Sequence, residues 1–136
     1  MTNKIDLMCE KAKQAQAQAY SPYSGCEVGV CIKTTDDTYF SGCNVENASY
    51  AVTACAEVSA VTAMITAGKY DITDVMITSN KGHGFPPCGK CRQLLSEFAA
   101  PDMTIHFTDS DGQFVSLPFS DIFPHAFQPK HVGDTE

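Results

Sequence analysis

Four residues in two short stretches carry groups that could do chemistry together. They are Cys55 and Glu57 in Cys55-Ala56-Glu57, and Cys88 and Cys91 in Pro86-Pro87-Cys88-Gly89-Lys90-Cys91. Cys88 and Cys91 are three apart, so on the first turn of a helix both sulfurs share a face and can reach one metal ion. Pro87 suits the first helical position, where its missing N–H would be unpaired anyway. Residues 92–98 continue as a helix with Leu94, Leu95 and Phe98 on its inner side. Thr53 can cap a second helix through Cys55, Ala56, Glu57, Val58, Ala60, Val61 and Met64, which puts Cys55 in a first turn as well. A helix start favours thiolate over thiol. Three thiolates suit zinc and leave one position of a tetrahedral ion open, which marks a catalytic site rather than a structural one. Zinc lowers the pKa of bound water. Glu57, two residues after a ligand, can take that proton and pass it on.

The order ligand-x-Glu…Pro-Cys-x-x-Cys is the known signature of the zinc nucleobase deaminases, three-cysteine versions included. Cys55-Ala56-Glu57 and Pro87-Cys88-Gly89-Lys90-Cys91 fit it at every defined position. Over residues 20–127 the chain resembles the small, homotetrameric cytidine deaminases. The supporting strings are Ser21-Pro22-Tyr23-Ser24, Val28-Gly29, Gly42-Cys43-Asn44-Val45-Glu46-Asn47-Ala48-Ser49-Tyr50, and Arg92-Gln93 after the cysteine pair. The resemblance implies a three-layer α/β/α fold and one zinc ion per subunit on Cys55, Cys88 and Cys91. It implies Glu57 as the catalytic acid/base, moving a proton from water to the pyrimidine N3 and then to the leaving amine. Water would add to C4 of cytosine, and ammonia would leave from cytidine or deoxycytidine in pyrimidine salvage. Asn44 and Glu46 would hold ribose hydroxyls, as an amide and a carboxylate can. Tyr50, Ala56, Cys26 and Phe127 would complete the substrate site, Phe127 reaching in from a neighbouring subunit of a homotetramer.

Two positions depart from the family. Many members carry Phe, lying against the base, where this chain has Cys26, so a wider pocket or weaker stacking is expected. Many three-cysteine members carry Arg where this chain has Val58. Three thiolates with Zn²⁺ leave a net negative charge, and Arg92 or the helix ends are the candidates to offset it. Blasticidin-type deaminases also lack that Arg, which keeps a blasticidin S-like nucleoside, or free cytosine, as an alternative substrate.

Plainer readings compete at each residue. A C-x-x-C opening a helix also suits a redox dithiol, and Cys-Gly-Lys-Cys is similar to the thioredoxin arrangement. The matching order and spacing of Cys55 and Glu57 favour zinc. His83 is the nearby group that could close the fourth position, although a lone His in a Gly-rich loop is more often solvated. Glu57 could be a surface group stabilised by the helix dipole. Residues 44–50 alone would read as a loop whose Asn and Ser bond their own backbone. Phe123 and Phe127 could pack the chain end on its own core.

Composition narrows the partners. The 136 residues suffice for one domain with a core, and 43% hydrophobic with 18% charged residues is ordinary for a globular chain. A net charge of −7 argues against a nucleic-acid polymer, whose phosphates need cations. No apolar run approaches the ~20 residues of a membrane span. The start shows no apolar core of a secretory signal. Seven cysteines, an odd number, argue for a reducing compartment, hence a cytoplasmic location.

The rest of the chain must position the cysteines. Residues 4–19 read as a helix, with Cys9 on its apolar side. In a strand over 26–33, Val28, Val30 and Ile32 face one way. Gly29 and Cys31 are small on the other, so a helix should pack closely there and both faces should be covered. Residues 34–37 turn into a partner strand over 38–43, and Cys31 and Cys43 read as small core residues. The Cys55 helix should stop near Ala67, before Gly68. Further strands are expected over 74–79, 103–108 and 113–116, with a loop over 80–87, Pro101 just beyond the second metal-binding helix, and a brief helix over 120–123. The expectation is one domain over 1–127, an α/β fold on a five-stranded mixed sheet whose first two strands are antiparallel. Both metal-binding helices must share one face. Residues 128–136 have few apolar groups and are expected to form a mobile tail.

Overall fold

The computed structural model describes residues 3–82 and 84–133. Helix α1 (Lys4–Gln16) precedes a hairpin of β1 (Val28–Thr34) and β2 (Tyr39–Cys43). Then come α2 (Ala56–Thr66), β3 (Ile72–Ser79), α3 (Gly89–Phe98), β4 (Ala99–Thr108) and β5 (Phe114–Pro118). Two short helices, α4 (Phe119–Ile122) and α5 (Pro129–Val132), follow. The five-stranded sheet runs β2-β1-β3-β4-β5; β3 and β4 are parallel and the other neighbours antiparallel. Helix α1 covers one face and α2 and α3 the other, giving the expected three layers.

The alternation in β1 creates both faces. Val30 and Ile32 join Ala60, Val61, Met64 and Leu95 in the larger core. Cys31 points the other way, to Met8, Ala12 and Met76 under α1. Gly29 permits this approach, because a Cβ there would lie 1.9 Å from the Ala12 carbonyl oxygen. On the opposite face Gly42 admits α2, since its Cβ would lie 2.5 Å from the Ala60 nitrogen. Of the cysteines expected in the core, Cys31 is fully buried, while Cys9 and Cys43 are half-buried.

Several boundaries differ from the sequence expectation. Helix α1 ends at Gln16 rather than residue 19, because Tyr20 N–H is drawn to the Asn44 carbonyl at 3.0 Å and starts a bridge with Val45. Pro101 does lie just beyond α3, but β4 begins at Ala99 rather than residue 103 and includes it. The β3–β4 register shifts there, from Ile72↔Ala99 to Asp74↔Thr104. A bulge is where a strand tolerates a residue that cannot donate. Within the stretch expected as a tail, Pro129–Val132 forms a helical turn.

Under the N-terminus of α1 lies a buried polar pair that the sequence did not announce. Asp74 Oδ2 is 2.8 Å from His106 Nε2, and Ser116 Oγ is 2.7 Å from His106 Nδ1. Lys4 Nζ reaches Asp74 Oδ2 at 3.2 Å. Burial pushes the Asp74 pKa up, but hydrogen bonds from His106, Thr73 and Lys4 outweigh it and bring the group from 3.8 down to about 2. A carboxyl depressed on folding stabilises the fold above its unfolded pKa, and that contribution fades as pH falls through the folded value. Asp74→Asn is therefore expected to cost about 2 kcal/mol at pH 7. The gap from wild type should narrow as pH drops from about 4 towards 2. Urea unfolding of both proteins at pH 7 and about pH 3 measures this, and a gap independent of pH would refute it.

Candidate metal centre and substrate pocket

Cysteines occupy the cap positions of both helices on the inner face. Cys55 caps α2 and Cys88 caps α3, each with extended backbone and no side-chain capping bond. Cys91 follows in the first turn of α3. Both helices thus start later than the spacing suggests. Pro87 precedes the cap rather than opening the helix, and Thr53 Oγ1 accepts from Asn47 N–H at 3.1 Å instead of capping α2. With their caps facing each other, α2 and α3 bring the sulfurs of Cys55, Cys88 and Cys91 within 4.8 Å of one another. Cys91 is buried, Cys55 half-buried and Cys88 exposed.

The three thiols share charge unequally. Hydrogen bonding from Cys91 brings the Cys55 thiol down to about 6, against the effect of burial and with help from the positive charge of Lys90. Hydrogen bonding to Cys55 and burial push Cys91 up. Such a cluster forms its first thiolate readily and resists the next, the condition that a thiophilic dication relieves. Three convergent sulfur donors fit zinc, whose ligands must be deprotonated. Arg92 and the helix ends were the expected compensating charges. Arg92 Nε donates to the Pro87 carbonyl at 2.9 Å and braces the loop before α3, while Lys90 adds a positive charge that acts on Cys55. His83 lies outside the described residues.

A cavity of about 300 Å³ opens beside the trio. Cys55, Cys88 and the buried Glu57 line one part of it. Burial foremost, and then the nearby Cys55, raise the Glu57 carboxyl above its ordinary range. Asn44, Glu46 and Ser24 supply polar groups, and Cys26, Ala56 and Phe85 contribute to the walls. A second hollow shares Ser24, Glu46 and Thr53 with the first and adds Tyr23, Asn47 and Tyr50, so the two form one groove. Tyr50 stands on its rim, 81% exposed.

Two expected ligand groups turn out to be braced by the protein. Asn44 Oδ1 accepts from Val28 N–H at 2.9 Å, and its Nδ2 donates to the Cys26 carbonyl at 2.8 Å. One amide hydrogen and one acceptor site are left over. Glu46 accepts from the backbone of Tyr23 and Ser24 and from the Ser24 hydroxyl. Phe127 lies apart from both hollows. The residue is 56% exposed, its ring sits 5.5 Å from that of His131, and its carbonyl accepts from Gln93 Nε2 at 2.9 Å. Phe123, not Phe127, packs against the core edge beside Phe119. Sequence reasoning missed Ser24 and Phe85 as pocket residues. Ser24 had counted only within the string Ser21-Pro22-Tyr23-Ser24 that carries the resemblance.

Three thiols on two facing helix starts, beside a buried carboxyl group and a cavity of small-molecule size, fit a zinc site open to a small substrate. A family model described as "Cytidine and deoxycytidylate deaminase zinc-binding region" matches residues 2–107. A cytidine deaminase of Halalkalibacterium halodurans is 31% identical, covering 94% of this chain and 97% of its own. One of Mycobacterium tuberculosis is 36% identical, covering 90% and 88% respectively. A crystal structure of a cytidine deaminase from Burkholderia pseudomallei superposes with a TM-score of 0.82 at 35% identity, covering 93% of this chain and 100% of that one. The chain belongs to the cytidine and deoxycytidylate deaminase family.

Proposed function

We propose that the protein hydrolyses cytidine and deoxycytidine to uridine and deoxyuridine, releasing ammonia. The observation that carries this is the buried Glu57 carboxylate in the wall of the same cavity as the Cys55 and Cys88 thiols. The polar groups of Asn44 and Glu46 lie in that cavity too. Cys55, Cys88 and Cys91 would hold zinc, which when bound would supply the Lewis acidity that makes water a nucleophile at neutral pH. Glu57 takes the proton of the attacking water and delivers it to the pyrimidine N3. Glu57 then takes the proton of the new C4 hydroxyl and passes it to the exocyclic amine, which leaves as ammonia as the C4 carbonyl forms. Asn44 and Glu46 hold the sugar, and the Cys26, Ala56 and Phe85 walls enclose the base. Cys26 is small, leaving a roomier wall than an aromatic ring would.

Three thiolate ligands need reducing surroundings, which supports a cytoplasmic enzyme of pyrimidine salvage. The exposed rings of Tyr23, Tyr50 and Phe127 support a homotetramer in which Phe127 of one subunit completes a neighbour's pocket and Tyr50 lines it. No helix of the described residues is long and apolar enough to cross a membrane.

The groove also carries a charge signature. Among its described lining residues there is no Lys, Arg or His, while Glu46 borders both hollows. A phosphate would meet that carboxylate without a counter-cation, at a cost of several kcal/mol. Ammonia release from cytidine, deoxycytidine, cytosine, blasticidin S and CMP, with Glu57→Ala as control, tests the function. The two nucleosides should turn over, with CMP slower by about 100-fold or more. Turnover of cytosine or blasticidin S alone would overturn the roles given to Asn44 and Glu46.

A further inference from the structure

Glu46 is oriented by a turn 22 residues upstream, not by its own loop. Its Oε1 accepts from Tyr23 N–H at 3.0 Å and Ser24 N–H at 3.1 Å, and its Oε2 accepts from the Ser24 hydroxyl. A carboxylate offers about four acceptor sites, so about one remains, on Oε2. The Ser24 oxygen in turn accepts from Cys26 N–H at 3.0 Å. That bond leaves the single hydroxyl hydrogen directed at Glu46. Gly25, with φ +69°, makes the tight return from Ser24 to Cys26 possible. The chain of bonds continues, because the Cys26 carbonyl accepts from Asn44, which holds Val28 at the start of β1. The acidic group and the Cys26 wall of the cavity are thus tied through one hydroxyl.

We propose that Ser24 is a specificity-determining positioning residue, whose hydroxyl aims the remaining acceptor of Glu46 at a sugar hydroxyl and so sets the preference for nucleosides that carry one. It rests on the reading of Glu46 as a sugar-binding group. Without Ser24 Oγ the two backbone donors still hold Oε1, so the turn and the loop stay joined. Oε2 is then free to swing about that anchor. The effect belongs to substrate binding and not to the proton transfers at Glu57.

The test measures kcat and KM for deoxycytidine and for 2′,3′-dideoxycytidine, which lacks the 3′-hydroxyl, in wild type, Ser24→Ala, Ser24→Thr and Glu46→Gln. Wild type should favour deoxycytidine. Ser24→Ala should raise KM for deoxycytidine about 10-fold with kcat nearly unchanged, and should shrink the preference over the dideoxy substrate. Ser24→Thr, which keeps a hydroxyl, should restore both. Equal losses on both substrates in Ser24→Ala, an unchanged KM, or failure of Ser24→Thr to restore would each overturn the role of Ser24 alone. If Glu46→Gln leaves the wild-type preference intact, the sugar-binding reading of Glu46 falls, and the proposal falls with it.

Discussion

Glu57→Gln should abolish turnover while leaving the metal in place. The amide matches the carboxylate in size, so the pocket wall, where Glu57 is only 5% exposed, keeps its shape. The amide can neither accept the proton of water nor hand it to the pyrimidine. General acid–base catalysis contributes about 10²–10⁴-fold. One group here serves more than one transfer, so a fall in kcat of at least roughly 10³-fold is expected. The thiols that hold zinc are untouched, and metal content per chain should equal that of wild type. Ammonia release and elemental analysis on the same preparation measure both. Activity within about tenfold of wild type would remove Glu57 from the chemistry. Loss of zinc in this variant would make it a structural support of the cysteine trio instead.

Gly29→Ala should be among the most destabilising single changes in the chain. The added methyl would sit 1.9 Å from the Ala12 carbonyl oxygen and 2.8 Å from the Gln16 backbone nitrogen. Both are helix backbone, so no side-chain rotation relieves the clash. Either α1 lifts away or β1 bends. Lifting α1 exposes Met8, Ala12, Cys31 and Met76, which pack together beneath it. Overpacking a core costs about 1–3 kcal/mol where side chains can adjust, and here the rigid partner puts the expected cost at about 3 kcal/mol or more. Gly89→Ala is the contrast. Nothing lies within 4 Å of a Cβ at that helix start, and stability should change by less than about 1 kcal/mol. Denaturant unfolding of the two variants compares them directly, and equal midpoints would refute the role given to Gly29.

Much of the site could be read before any coordinates. The cysteine trio and Glu57 were expected, and α2 and α3 do share one face of the sheet. The close approach of a helix at Gly29 was legible as well, since a small residue between Val28 and Val30 leaves a gap on one side of the strand only. Finer points were not. Thr53 and Pro87 are good cap and first-turn residues, yet the helices begin after Cys55 and Cys88. Propensity near a helix end allows a shift of one or two residues, and the packing of the two helix starts settles which residue is the cap. Arg92 follows Cys91 directly, yet its guanidinium braces Pro87.

Residue types and spacings specify the thiol pair at the start of α3, the carboxyl group two residues after Cys55 and the alternation of strands with helices. Each depends on relations across a few residues: three along a helix, two along a strand, or a proline before a cap. The Ser24 clamp on Glu46 and the pairing of Asp74 with His106 join groups 22 and 32 positions apart. No local rule ranks such partners. The bridge between Tyr20 and Val45 brings the first pair together, and the parallel register that sets Met76 beside His106 brings the second. Those groups become neighbours only once the whole sheet has formed, and burial then makes their hydrogen bonds obligatory.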